Sequence, residues 1–237
     1  MRLFAADQIP VLCEAVAHLS WMLSHRYAWK SALKLVGDRF ALTERQRTAV
    51  LRSACADLSL QRRKTVEVGS AGILGQPLAI DGFNLLTTIE AALSQGVILI
   101  GRDGCFRDMA SMHGSYRRVA ETVRALELIT DSVMQLGAGP CVWLLDSPVS
   151  NSGRLKGMIQ DVAAARGWAA TVQIVPDPDP LLAASPDIVV SADSQILDHC
   201  GRWFNLAAWV IEHAVADVWR IDLRDGAGPN VLTQSIP

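Results

Sequence analysis

No apolar run in this sequence approaches the roughly 20 residues a helix needs to cross a bilayer, because charge, glycine or proline breaks every long hydrophobic segment. The first residues also lack the basic-then-apolar order of a secretory signal. These absences set the expectation of a soluble, cytoplasmic protein with no membrane partner. The five cysteines, Cys13, Cys55, Cys105, Cys141 and Cys200, show neither pairing nor a Cys-x-x-Cys spacing. That sets aside zinc knuckles and dithiol redox sites and leaves buried thiols. No histidine has metal-ligand spacing to another, and no serine sits in a Gly-x-Ser-x-Gly elbow. Neither Gly-x-x-x-x-Gly-Lys nor a Gly-x-Gly-x-x-Gly following a strand occurs, so two common nucleotide-binding folds are set aside as well.

What the sequence does contain is a set of short apolar runs that end in acids. Pro77-Leu-Ala-Ile-Asp81-Gly-Phe-Asn84 is the clearest, followed by Val142-Trp-Leu-Leu-Asp146 and Asp187-Ile-Val-Val-Ser-Ala-Asp193, while Val97-Ile-Leu-Ile-Gly-Arg-Asp103 reaches its acid two residues later. Continuous apolar runs are the pattern of buried parallel strands, and sites in α/β folds form at the carboxyl ends of such strands. Four strand ends with four acids predict one anionic pocket. An aspartate just past a buried strand carries a desolvation cost that a divalent cation would relieve. It can equally serve as a helix N-cap. Carboxylates with few nitrogens favour Mg²⁺ or Mn²⁺.

Other polar groups fall near these ends. Asn84 can cap the next helix or orient a water or phosphate, and Ser191 can hold Asp193. The Asp146-Ser-Pro-Val-Ser-Asn-Ser-Gly153 loop offers Ser147, Ser150 and Ser152 as an anion cradle or as ordinary helix caps. The loop Gly101-Arg-Asp103-Gly-Cys-Phe-Arg-Asp108 adds Asp108, with Arg102 and Arg107 either binding phosphate or neutralising the acids. His113, Tyr116, Arg117 and Arg118 follow as a candidate substrate rim or a surface loop. Trp21, Trp143 and Trp209 lie in apolar contexts and read as core.

The chain of 237 residues, 50% hydrophobic and 19% charged, suits one large domain or a small module joined to a larger one. Residues 1–70 carry 11 Lys+Arg against 6 Asp+Glu and the remainder 11 against 18, so a net charge of -2 conceals a basic front and an acidic back. The front reads as helices: an amphipathic one over 6–24, a short one over 30–36, and one opened by the capping box Thr43-Glu-Arg-Gln46 and running to about residue 58. Its Arg39, Arg45, Arg47, Arg52, Arg62, Arg63 and Lys64 form either a nucleic-acid-facing surface or a solvated one. Glycines near 69–75 mark the boundary, with a short strand at 65–68. Strands at 77–81, 97–101, 141–145, 170–175, 188–191 and 218–223 then alternate with helices, predicting an α/β domain over 71–237, a mostly parallel sheet with helices on both faces.

The second part resembles the PIN-like nuclease superfamily and its NYN branch. The resemblance rests on Ile-Asp81-Gly-Phe-Asn84, similar to the branch's first-strand Asp-Gly-x-Asn, and on Val-Val-Ser-Ala-Asp193-Ser, similar to its late-strand Ser-x-Asp. The whole chain also resembles a prokaryotic family that joins a helical module, here with Leu35-Val-Gly-Asp-Arg-Phe40, to such a domain. The resemblance implies a PIN-like, three-layer Rossmann-like fold and a metal-dependent ribonuclease. Asp81, Asp146 and Asp193 would be the catalytic and metal-binding acids, with Asp103, Asp108 or Glu121 as the fourth, and Mg²⁺ or Mn²⁺ as cofactor. RNA is the expected partner, and much apolar surface spread over few helices is compatible with a homodimer. A non-catalytic RNA-binding or scaffold protein and a small-molecule phosphatase are the alternatives.

Overall fold

The computed structural model describes residues 2–109, 119–149, 151–168 and 170–224. Ser150, the rim residues His113, Tyr116, Arg117 and Arg118, and the glycine-containing tail lie outside these. The chain divides into two compact units: Met1–Thr65 with Gln95–Met109 and Asp217–Pro237, and Val66–Ser94 with Ala110–Ala216. The first boundary falls close to the expected cut near residue 70, but two strands assigned by sequence to the α/β part belong with the helical front.

In the first unit, helices α1 (Ile9–Ser24), α2 (Trp29–Arg39), α3 (Glu44–Ser53) and α4 (Asp57–Val66) accompany a three-stranded sheet. The capping box at Thr43 forms as its sequence predicts: the Thr43 side chain accepts from the Gln46 amide, and the Gln46 side chain accepts from the Thr43 amide. The helix it opens stops at Ser53, and α4 starts afresh at Asp57. The expected strand at 65–68 reduces to a single bridge, Glu67 with Trp203, because α4 runs through Val66. The sheet has the order β3-β2-β7, with β2 (Ile98–Ile100) antiparallel to β3 (Phe106–Asp108) and parallel to β7 (Arg220–Asp222). Leu12, Val16 and Leu19 of α1 share one core with Leu99 and Ile221 of these strands. That shared burial, rather than pairing with the other parallel strands, is what fixes β2 and β7 in this unit.

The second unit holds a wholly parallel sheet, order β5-β4-β1-β6, built from β1 (Leu78–Asp81), β4 (Cys141–Asp146), β5 (Ala170–Val175) and β6 (Ile188–Val190). All four residues of β1 are buried, as a central strand requires. Around it run α5 (Gly82–Leu93), α6 (Val119–Gln135), α7 (Ser152–Ala165), the short α8 (Asp179–Ala183) and α9 (Ser194–Leu197), and α10 (Leu206–Ala214). The protein is therefore α/β, with a mostly parallel sheet flanked by helices and a helical N-terminal region. Among the described residues no helix is long and apolar enough to cross a membrane. Trp143 is fully buried as expected, but Trp21 is 56% exposed and is not core.

Candidate functional site: a carboxylate edge on the parallel sheet

Parallel pairing aligns the carboxyl ends of the four strands of the second unit. Asp81 lies opposite Leu144, two residues before Asp146, which itself lies opposite Val175. On the other side Ile80 pairs with Val190, so Ser191 follows at the same edge. Asp81 ends β1 and caps α5, its Oδ1 accepting from the Asn84 amide at 3.4 Å. Gly82 is needed at this point: a Cβ there would lie 2.4 Å from Leu145 Cδ2 and 3.1 Å from the Leu144 carbonyl oxygen, so only glycine lets α5 begin directly beside β4.

Three expected residues lock two strand ends together. The Ser191 hydroxyl donates to Asp81 Oδ2 at 2.7 Å and accepts from the Asp193 amide at 3.0 Å. Asn84 Oδ1 accepts from the Ala192 amide at 2.9 Å. Asp193 Oδ1 accepts from the Gln195 and Ile196 amides and caps α9. Asn84 and Ser191 thus hold the position of Asp81, rather than reaching outward as the sequence alone left open.

The electrostatics single out Asp81. It is 6% exposed, and burial pushes its carboxyl up to about 7. The bonds from Ser191 and Asn84 pull the other way, and the charges of Asp193 and Asp179 push it further up. Burial raises Asp146 and Asp179 too, Asp146 also feeling Asp177, and Asp179 feeling Asp193, Asp177 and Asp146. No Lys or Arg pairs with any of these acids among the described residues. Asp177 and Asp179 are the acids that sequence reasoning missed. They stand in Val175-Pro-Asp-Pro-Asp-Pro180, directly after β5, the same strand-then-acid pattern read at three other edges.

Asp103 and Asp108, expected as metal ligands, belong to the first unit. Asp103 is 5% exposed, and Arg63 Nη1 (2.5 Å), Arg107 Nη1 (2.8 Å) and Arg107 Nη2 (2.7 Å) all bind its two oxygens. Burial alone would raise its carboxyl, but the two guanidinium groups outweigh burial and hold it well below the usual carboxylate range. A carboxylate so occupied has no oxygen to give a metal. Buried Asp108 lies 3.6 Å from Arg52. Arg107 is therefore an internal counter-ion of Asp103, and Arg102 bonds Asp57 and the Cys55 carbonyl. The same pairing thins the expected basic surface: Arg63 is 2% exposed, Arg47 binds Asp38, and Arg52 faces Asp108.

Ser152 is not turned outward either. Its hydroxyl lies 2.5 Å from the Asp146 carbonyl oxygen and 2.7 Å from that of Val149, bracing the loop before α7. Glu121 sits in the first turn of α6. Among the described residues no three His, Cys, Asp or Glu side chains are arranged to hold one metal ion between them. The donors present still fit a hard ion, because Mg²⁺ keeps several waters and is commonly bound through one or two carboxylates plus substrate phosphate. A buried, uncompensated Asp81 supplies the first of these.

Residues 70–209 match a domain of unknown function, DUF5616, and residues 11–65 match a protein family of unknown function, DUF434. An uncharacterised protein of Methanocaldococcus jannaschii, MJ0935, is 24% identical over 184 residues, covering 78% of this chain and 88% of that protein. No solved structure gives a significant match. With its central 140 residues matched end to end, spanning the whole carboxylate edge, the chain belongs to the DUF5616 family.

Proposed function

We propose that the second unit is a metal-dependent phosphodiesterase acting on RNA, with Asp81 at its centre and Asp146, Asp179 and Asp193 around it. The observation that carries this reading is Asp81 itself, a buried carboxyl at the end of a central parallel strand, raised by burial and by neighbouring acids, with no cationic partner among the described residues. A group left in that state costs stability, and a cation arriving from solution or with a substrate offsets the cost. The likeness of Asp81-Gly-Phe-Asn84 and Ser191-Ala-Asp193 to NYN-type nucleases supports the same choice, and PIN-like describes the fold on that reading.

Magnesium or manganese, when bound, supplies Lewis acidity toward the phosphodiester and a water of lowered pKa. The chain's own residues orient the parts. Ser191 and Asn84 fix both oxygens of Asp81. The Ser191 hydroxyl donates to Asp81 and accepts from the Asp193 amide, and that donation favours the ionised carboxylate. Asp146 and Asp179 keep the edge negative and repel the phosphate backbone until that charge is screened. The phosphatase alternative loses support because Ser152 spends its hydroxyl on the loop's own carbonyls.

The test is incubation of labelled oligoribonucleotides with the full chain in Mn²⁺ or Mg²⁺ and in chelator. Cleavage is expected with metal only, and Asp81→Asn should reduce it by at least 100-fold. RNA bound equally in metal and chelator without shortening would favour the scaffold reading instead.

A further inference from the structure

The first unit contains a cavity of about 520 Å³, within the range of small-ligand sites. One wall is a stripe of α1 formed by Cys13, Glu14, Ala17 and Trp21, and the rest comes from Asp57 at the start of α4, Arg102 after β2 and Arg224 after β7. Trp21 is the informative residue. While Leu12, Val16 and Leu19 of the same helix are fully buried, its indole is 56% exposed at this cavity. The ring is nevertheless held in place: His25 stacks on it with centroids 4.1 Å apart and planes 29° from parallel, and His25 Nδ1 is 2.8 Å from the Trp21 carbonyl oxygen.

Two cations stand at the same cavity. Arg102 is 14% exposed in its side chain and pinned by Asp57 at 2.7 Å and by the Cys55 carbonyl at 2.9 Å, whereas Arg224 is half exposed and steered by Asp222. The Glu14 carboxylate adds an acceptor at the rim, with 58% of its side chain exposed. The unit as a whole carries 15 Lys+Arg against 10 Asp+Glu, a net charge of the sign that attracts an anionic ligand. A fixed indole, guanidinium groups and a carboxylate acceptor match an aromatic base, its phosphate and its ring N–H groups. We propose that this cavity binds a nucleotide unit, stacked on Trp21 with its phosphate toward Arg224, either free or within single-stranded RNA.

The proposal does not depend on the carboxylate edge, and its test is run in chelator so that the two fail separately. The full chain is titrated calorimetrically with GMP, with guanosine and with a five-nucleotide oligoribonucleotide. GMP or the oligonucleotide should bind, and binding should weaken roughly tenfold or more in Trp21→Ala and by about threefold or less in Trp21→Phe. Arg224→Gln should weaken GMP and leave guanosine unchanged. Binding of GMP as tight as the oligonucleotide identifies a free-nucleotide site, and binding of the oligonucleotide alone identifies a strand-holding site. Circular dichroism melting should match wild type in all three variants. No binding of either phosphate-bearing probe at millimolar concentration, or unchanged binding in a folded Trp21→Ala, would overturn the proposal.

Discussion

The protein buries two aspartates almost equally, Asp81 at 6% exposure in one unit and Asp103 at 5% in the other, and treats them in opposite ways. Asp103 is enclosed by Arg63 and Arg107, with three charge-assisted bonds of 2.5–2.8 Å. Among the described residues Asp81 receives a serine hydroxyl and a backbone amide, and the charges that act on it are those of other acids. A buried ion that is fully paired has its charge spent inside the fold. One left without a counter-ion holds that charge in reserve for something that arrives. Burial of an acid therefore says little about function until its partners are named.

Breaking the paired aspartate should give the largest effect. Asp103→Asn leaves two buried guanidinium groups without their anion and should cost about 3–5 kcal/mol, measured as a fall in the urea midpoint at unchanged slope. A loss under 1 kcal/mol would mean that the ion triad is not structural.

Asp81→Asn in chelator should do the reverse. Because the folded carboxyl is raised to about 7, the native state holds a proton that the unfolded chain releases near pH 4, so wild-type stability falls as pH rises between those values. The variant escapes this loss and should be the more stable protein at pH 8, by roughly 2–4 kcal/mol, with the difference vanishing below about pH 4. Urea titrations of both proteins at pH 4 and pH 8 check the sign. Equal stability at both values would remove the uncompensated charge from the account.

A smaller effect sharpens the comparison. Gly82→Ala forces a Cβ to 2.4 Å from Leu145 Cδ2 and should cost about 1–3 kcal/mol through overpacking. It should also displace the start of α5 and with it Asp81, so cleavage should fall further than stability alone explains. Thermal melts and cleavage rates measured on the same preparation separate the two.

Much of the second unit could be read from sequence, because its strands are continuous apolar runs ending in acids, and Asp81, Asn84, Ser191 and Asp193 do meet at one edge. Four things could not be read. The run ending near Asp103 has the same local pattern as the run ending at Asp81, yet it pairs with β3 and β7, since which strand joins which sheet is decided by distant burial. The hairpin from β2 to β3 turns through Gly104, at φ +81, in a loop whose charged residues suggest exposure while Asp103 and Arg107 are in fact buried against each other. Asp177 and Asp179 come after the proline that ends the β5 run, so they are not the residues that terminate an apolar strand. Nor did the basic front announce that Arg47, Arg52 and Arg63 pair with acids of their own unit, since counting charges does not reveal pairing.

The most direct measurement is calorimetric titration of Mn²⁺ and Mg²⁺ into chelator-treated protein, wild type beside a variant carrying Asp81→Asn and Asp193→Asn. The account predicts binding to the wild type, tighter at pH 8 than at pH 6 because Asp81 must lose its proton, and none to the variant. Wild-type protein that takes up neither ion at millimolar concentration, or a variant that binds as tightly as wild type, would contradict it.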